Sequence, residues 1–210
     1  SEANQPMISN GEKSLIMFNG EIYNHRELRK KLEKNNAQFF TNHSDTETIL
    51  NGIDSEGVNF INSLRGQFAI FYINFQQKKI IFARDRLGQK PLFINFDNKN
   101  LSFGSNLISV AKLSDNTSID EESVYEYLDC GIVSSPNTIF KNVKKLKPAE
   151  IIEFDISTDK FTYISKNYWE IDKFVDDKQF DRDVFFDIFS EAVTLRTEAD
   201  VEIANFISGG

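Results

Sequence analysis

The chain has 210 residues, 40% of them hydrophobic and 13% aromatic, enough for one substantial core and the beginning of a second. A net charge of −8, with no Lys or Arg run backed by stacking aromatics, leaves no electrostatic footprint for nucleic acid, and the single cysteine excludes an internal disulfide framework and suits a reducing cytoplasm. No apolar run approaches membrane-spanning length, the leading SEANQPM has no signal-peptide character, and His25, His43 and Cys130 give no metal-ligand spacing.

Residues 15–18 are an apolar run expected to form a buried strand, with Asn19-Gly20 directly after it. Asn-Gly between apolar runs is a strong hairpin signal, yet only Glu21-Ile22-Tyr23 separate the pair from Asn24, too few for a second strand. Asn24 with Glu27 reads as a capping box opening a helix over 25–34. The backbone is therefore expected to turn sharply at Gly20 and present the Asn19 amide and the Gly20 N–H at the strand's end, where two donors can converge on a ligand oxygen. A plain structural turn is the other reading of the same residues.

Ser44 and Glu47 form a second capping box, for a helix over 44–53, and residues 58–66 form a short helix ending at Gly66. Four strand-like runs follow, over 67–75, 79–85, 91–96 and 100–105, and their short connections predict an antiparallel meander. Helices are expected over 107–113 and 121–128, then a hairpin-like pair over 150–155 and 160–165. Lys141 to Lys147 is a basic cluster broken by apolar residues and reads as solvated surface. Strands grouped first, with helices outside them, give α+β layering rather than alternating βαβ. Composition then turns polar and acidic over 166–182, which reads as a linker between a domain over 1–165 and another starting at 183. Residues 183–197 have helical periodicity, and VEIANFISGG reads as a strand entering a glycine-rich turn of the kind that precedes a phosphate-binding helix N-terminus.

Seven segments, in this order and at these separations, carry a resemblance that periodicity does not: FNGEIYNHRELR, SDTETIL, LRGQFAIFYIN, FARDRLGQKPLF, LSFGSN, YLDCGIVSSPNTIFKNVKKLKPAE and FISGG. Together they closely resemble glutamine-hydrolysing asparagine synthetases, from about Gln5 to Gly210. The resemblance implies an N-terminal-nucleophile amidotransferase domain, built as a four-layer α-β-β-α sandwich of antiparallel sheets, followed by the first helix and strand of an ATP-pyrophosphatase-like synthetase domain. It implies that glutamine is hydrolysed in the first domain and that the ammonia attacks an aspartyl-adenylate in the second. Glutamine, aspartate and ATP with Mg2+ are the ligands it implies, in a cytoplasmic enzyme with room for a homodimer.

Carried over by residue, the resemblance makes Asn19 (side-chain amide) and Gly20 (backbone N–H) an oxyanion hole. It gives Asp45 the α-ammonium of glutamine, although an acidic residue after a helix cap is also favoured by the helix dipole alone. Glu21 would contact the amino-acid end of the substrate. Ile207, Ser208, Gly209 and Gly210 would begin the nucleotide-binding loop. Arg84 and Asp85 are expected to pair at a strand end, with Gly88 and Pro91 shaping the turn after them.

The family's nucleophile is a cysteine at the first position of the mature enzyme, with an arginine following it that binds the glutamine carboxylate. Neither is found here. Ser1 precedes a polar segment rather than opening a buried strand, and Cys130 reads as a core or structural thiol. The sequence is therefore expected to be an internal piece whose 210 residues alone do not hydrolyse glutamine. Asn106 replaces a usual acidic residue and Ala149 a usual Pro-Gly turn. The acceptor could thus be aspartate or a carboxylated sugar of surface-polysaccharide assembly, and a non-catalytic scaffold is the remaining alternative.

Overall fold

The computed structural model describes residues 4–96, 100–114, 118–175, 179–197, 202, 204 and 209. It divides into two compact units, Ser1–Glu170 and Ile171–Gly210.

In the first unit, six strands form one antiparallel sheet in the order β1 (Met7–Ile8), β2 (Ser14–Ile22), β3 (Gly66–Asn74), β4 (Lys79–Arg84), β8 (Glu150–Asp155) and β9 (Thr162–Asn167). A second sheet is ordered β6 (Leu101–Gly104), β5 (Phe93–Phe96) and β7 (Lys144–Lys145). Strand alternation explains why the central strands of the first sheet are buried on both faces. Phe68, Ile70 and Tyr72 of β3, with Ile16, Phe18 and Ile22 of β2, pack under α1 (His25–Lys34) and α2 (Asp45–Glu56). Ala69, Phe71 and Ile73, with Ile80 and Phe82 of β4, point the other way, onto Ile94, Leu101 and Phe103 of the second sheet. The far face of that sheet packs through Phe93 against Leu107, Val110 and Ala111 of α3 (Leu107–Lys112). The layers are thus helices, sheet, sheet, helix: the α-β-β-α sandwich.

Several local expectations need correcting. The first strand does not stop at Phe18, and there is no turn at Gly20: β2 runs on to Ile22, each of its residues paired with β3 from Ser14↔Asn74 to Ile22↔Gly66. Gly20 is needed for proximity, since a Cβ there would lie 2.0 Å from the Gln67 carbonyl oxygen, and one on Gly66 would lie 2.1 Å from that of Glu21. Asn24 makes no side-chain cap. It clips the following segment instead, its Nδ2 donating to the Ser63 carbonyl (3.0 Å) and its Oδ1 accepting from the Arg65 N–H (2.9 Å). Ser44 does cap α2, accepting from the Glu47 N–H at 3.2 Å. The buried Glu47 carboxylate turns away from that box and accepts from the N–H groups of Phe40 and Thr41 and from the Thr41 hydroxyl. Residues 57–63 form a 3-10 helix, and Gly66 opens β3 rather than closing a helix.

The meander also breaks. After β4 the chain crosses to the second sheet, and β8 takes the place beside β4. Connection length indicates how far apart two strands lie, not which sheet the second one joins. The crossing is built on Arg84 and Asp85, 4% and 0% exposed, which do not bond each other. Asp85 accepts from the N–H groups of Phe68, Leu87, Gln89 and Lys90, while Arg84 donates to the carbonyls of Gly88, Lys90 and Leu146. Burial lowers the Arg84 pKa, and the Asp85 carboxylate opposes that shift. Gly88, at φ 65, completes the bend.

Ala149 is buried at φ 57, a left-handed conformation that favours glycine, and its N–H and carbonyl are held by Asp85 and Tyr168. Ala149→Gly is expected to relieve about 1–2 kcal/mol of backbone strain against about 0.4–1 kcal/mol of added unfolded-state entropy. The net gain, roughly 0.5–1 kcal/mol, should appear as a higher urea midpoint at unchanged slope.

The expected helix over 121–128 is α4 (Glu121–Cys130). Cys130 ends it exposed, so it is not a core thiol. In the second unit, α5 (Arg182–Arg196) is capped by Asp181, which accepts from the N–H groups of Asp183 and Val184. Of the strand expected after 200, only Glu202 and Ala204 are among the described residues, and neither is in a strand; Ile207, Ser208 and Gly210 lie outside the described residues, and Gly209 is described, at φ 70. Among the described residues, no helix is long and apolar enough to cross a membrane and no cluster of His, Cys, Asp and Glu could hold a metal.

Candidate active site

The two sheets part at the outer edge of β2, leaving a cavity of about 370 Å³. Its floor is apolar: Met17 of β2, Ala69 and Phe71 of β3, Leu92 and Phe103. Phe71 and Phe103 stack across it with ring centroids 4.2 Å apart. Gln5, Asn19 and Ser105 supply polar atoms, and none of the lining side chains is ionisable.

Asn19 points into this space because odd-numbered residues of β2 face the second sheet. Its Nδ2 donates to Ser105 Oγ at 2.9 Å, a bond that joins the first sheet to the end of β6. Gly20 follows, and strand geometry aims its N–H. Even-numbered N–H groups of β2 turn away from β3: that of Ser14 reaches Ser9 Oγ (3.0 Å), that of Phe18 reaches Gln5 Oε1 (2.6 Å), and that of Ile22 reaches Asp45 Oδ2 (3.2 Å). The Gly20 N–H shares that edge, between the last two. Asp45 is half-buried in the first turn of α2, and its carboxylate is drawn to the same edge by the Ile22 N–H. Glu21 is exposed beside them. The structure therefore brings Asn19, Gly20, Glu21 and Asp45 to one strand end. Gly209 lies in the other unit.

Sequence reasoning missed Ser105, Gln5 and the aromatic floor. A serine after a strand is too common to single out, although LSFGSN stood among the resembling segments. Gln5 serves β2 from 13 positions before Phe18, across β1 and the turn after it, a contact no local pattern encodes. Cys130 does not line the cavity.

A family model described as a glutamine amidotransferase domain matches residues 1–169. The chain is 33% identical over 214 residues to the glutamine-hydrolysing asparagine synthetase 1 of Bacillus subtilis (strain 168), covering 98% of this chain and 32% of that protein. It is 33% identical over 202 residues to a putative glutamine-hydrolysing asparagine synthetase 2 of Methanocaldococcus jannaschii, covering 93% of this chain and 38% of that protein. It thus spans about a third of the length of these curated relatives. Among solved structures, one titled as the allosteric regulatory enzyme of purine biosynthesis shares the fold, with a TM-score of 0.53 at 17% identity over 80% of this chain and 32% of that one.

Proposed function

This chain belongs to the glutamine amidotransferase domain family, and from that premise we propose that the cavity beside β2 is where the side-chain amide of glutamine is hydrolysed, within an ATP-dependent, glutamine-hydrolysing asparagine synthetase. A nucleophile attacking the amide carbon pushes the carbonyl electron pair onto oxygen; the nucleophile's proton passes to the amide nitrogen, collapse of the adduct breaks the C–N bond and expels ammonia, and water then cleaves the acyl intermediate to glutamate. The Asn19 amide and the Gly20 N–H are the donors that meet the oxygen as it becomes negative, each typically contributing on the order of 3 kcal/mol at the transition state. Asp45 takes the α-ammonium and Glu21 contacts the same end of the substrate. The spacing supports this: Ile22, where Asp45 is anchored, lies three residues past Asn19, about 10 Å along the strand. An extended glutamine with a hydrogen bond at each end fills about that length.

The observation that supports the reading is that Asn19 lines the mouth of an apolar cavity, with Gly20 next to it on the same strand, in a family described as glutamine amidotransferase domains. The relatives' names, as asparagine synthetases, favour aspartate as the acceptor. We infer ATP as the activating nucleotide, with Ile207, Ser208, Gly209 and Gly210 opening the nucleotide loop.

Asn19→Ala tests it in the full gene product. Glutamine-dependent turnover is expected to fall about a hundredfold, with a much smaller change in glutamine KM, because the bond strengthens mainly in the transition state. Ammonia supplied directly should bypass the defect. Asn19 is exposed in extended strand, so the melting temperature should barely move. Equal loss of glutamine- and ammonia-dependent synthesis would refute the assignment. The 210 residues alone should release no glutamate beyond a Cys130→Ala control.

A further inference from the structure

We propose that Ser105 is a positioning residue that sets the direction of the Asn19 amide, a role that rests on the glutamine-site reading above. An asparagine amide turns readily about its last torsion, which has broad, roughly two-fold preferences. An exposed one at a cavity mouth would spread its donors over many directions. Ser105 Oγ removes that freedom by accepting one Nδ2 proton at 2.9 Å. The amide nitrogen carries two protons, so the second is left with a fixed direction and no competing role in this bond.

Ser105 is itself held from both sides. The residue before it, Gly104, pairs with Phe93 in the second sheet. The residue after it, Asn106, caps α3 by accepting from the Ser109 N–H (2.9 Å) and hydroxyl (3.1 Å). The serine thus brings the rigidity of the second sheet to a donor carried by the first, which is what preorganisation requires. It also makes donor direction depend on how the two sheets are spaced.

Ser105→Ala deletes the acceptor at an exposed position where packing loss is slight. In the full gene product, glutamine-dependent turnover is expected to fall about tenfold, with glutamine KM and the ammonia-dependent rate little changed. Ser105→Thr keeps the oxygen and should recover most of the loss. In an Asn19→Ala background the serine change should add nothing, because the group it orients is gone. Side-chain amide NMR of this chain reads the same contact without turnover: one Asn19 Nδ2 proton should be protected from solvent exchange, and Ser105→Ala should abolish that protection. Wild-type glutamine kinetics in Ser105→Ala, or a full further loss in the double variant, would overturn the proposal. Loss in Asn19→Ala but not in Ser105→Ala defeats the serine role alone; loss in neither defeats the site reading with it.

Discussion

Asp85→Ala is expected to destabilise the first unit by about 4 kcal/mol or more. The carboxylate is fully buried and accepts from four backbone N–H groups, at 3.2 Å (Phe68), 3.2 Å (Leu87), 2.9 Å (Gln89) and 3.0 Å (Lys90). Alanine strands these donors, and a buried donor left unsatisfied costs about 1–3 kcal/mol. Arg84 would also lose the neighbouring charge that offsets its burial. The Leu87, Gln89 and Lys90 donors are only partly buried, so water entering the site recovers part of this loss. Urea unfolding of the chain measures the effect, and a loss under about 1.5 kcal/mol would show that the carboxylate does not organise the crossing. Asp85→Asn should fall between the two, since one amide face meets donors with a donor.

Gly20→Ala is expected to destabilise by roughly 3 kcal/mol, the upper range for forcing atoms into packed space. The new methyl would sit 2.0 Å from the Gln67 carbonyl oxygen and 2.8 Å from the Phe68 Cα, both backbone atoms in a paired strand. No rotamer change relieves such a contact; β2 and β3 must separate. Thermal melting separates this from Asn19→Ala one residue away, which should cost little stability. Similar melts for the two variants would mean the strands are not as close as described.

The contrast bears on what the sequence discloses. The helix over 25–34 is legible to its ends because Leu28 and Leu32 mark its buried face and Asn35-Asn36 stop it. The strand over 150–155 is likewise legible, its apolar run bounded by polar residues at each end. Gly20 is not, because a glycine demanded by a close neighbour looks identical, in one dimension, to a glycine demanded by a bend. The same ambiguity hides the use of Asn24, a good cap by type that serves residues 63–65, about forty positions on. Arg84-Asp85 looks like an ion pair because adjacent opposite charges usually are one; that each satisfies backbone instead depends on a crossing whose path only the folded chain defines.

For the candidate site, Asn19, Gly20 and Asp45 were within reach only through the resemblance of FNGEIYNHRELR and SDTETIL, because local chemistry alone reads equally as a plain turn and as an acid favoured by a helix dipole. Ser105 was not, being brought to Asn19 across 86 positions by the stacking of two sheets.

The bracket around Asp85 has a consequence for length as well as shape. A surface loop ordinarily tolerates insertions, since doubling its length adds only about 0.6 kcal/mol of closure entropy. Between residues 85 and 91 that freedom is missing, because Leu87, Gly88, Gln89 and Lys90 each hand an N–H or a carbonyl to Asp85 or Arg84. One added residue would throw the later partners out of step or slide β5 by about 3.3 Å, carrying Leu92 across the cavity floor and shifting β5 against Phe103 of β6. The crossing therefore acts as a spacer of fixed residue count, and any homologue that keeps a cavity of this width should keep that count even where the residues themselves change.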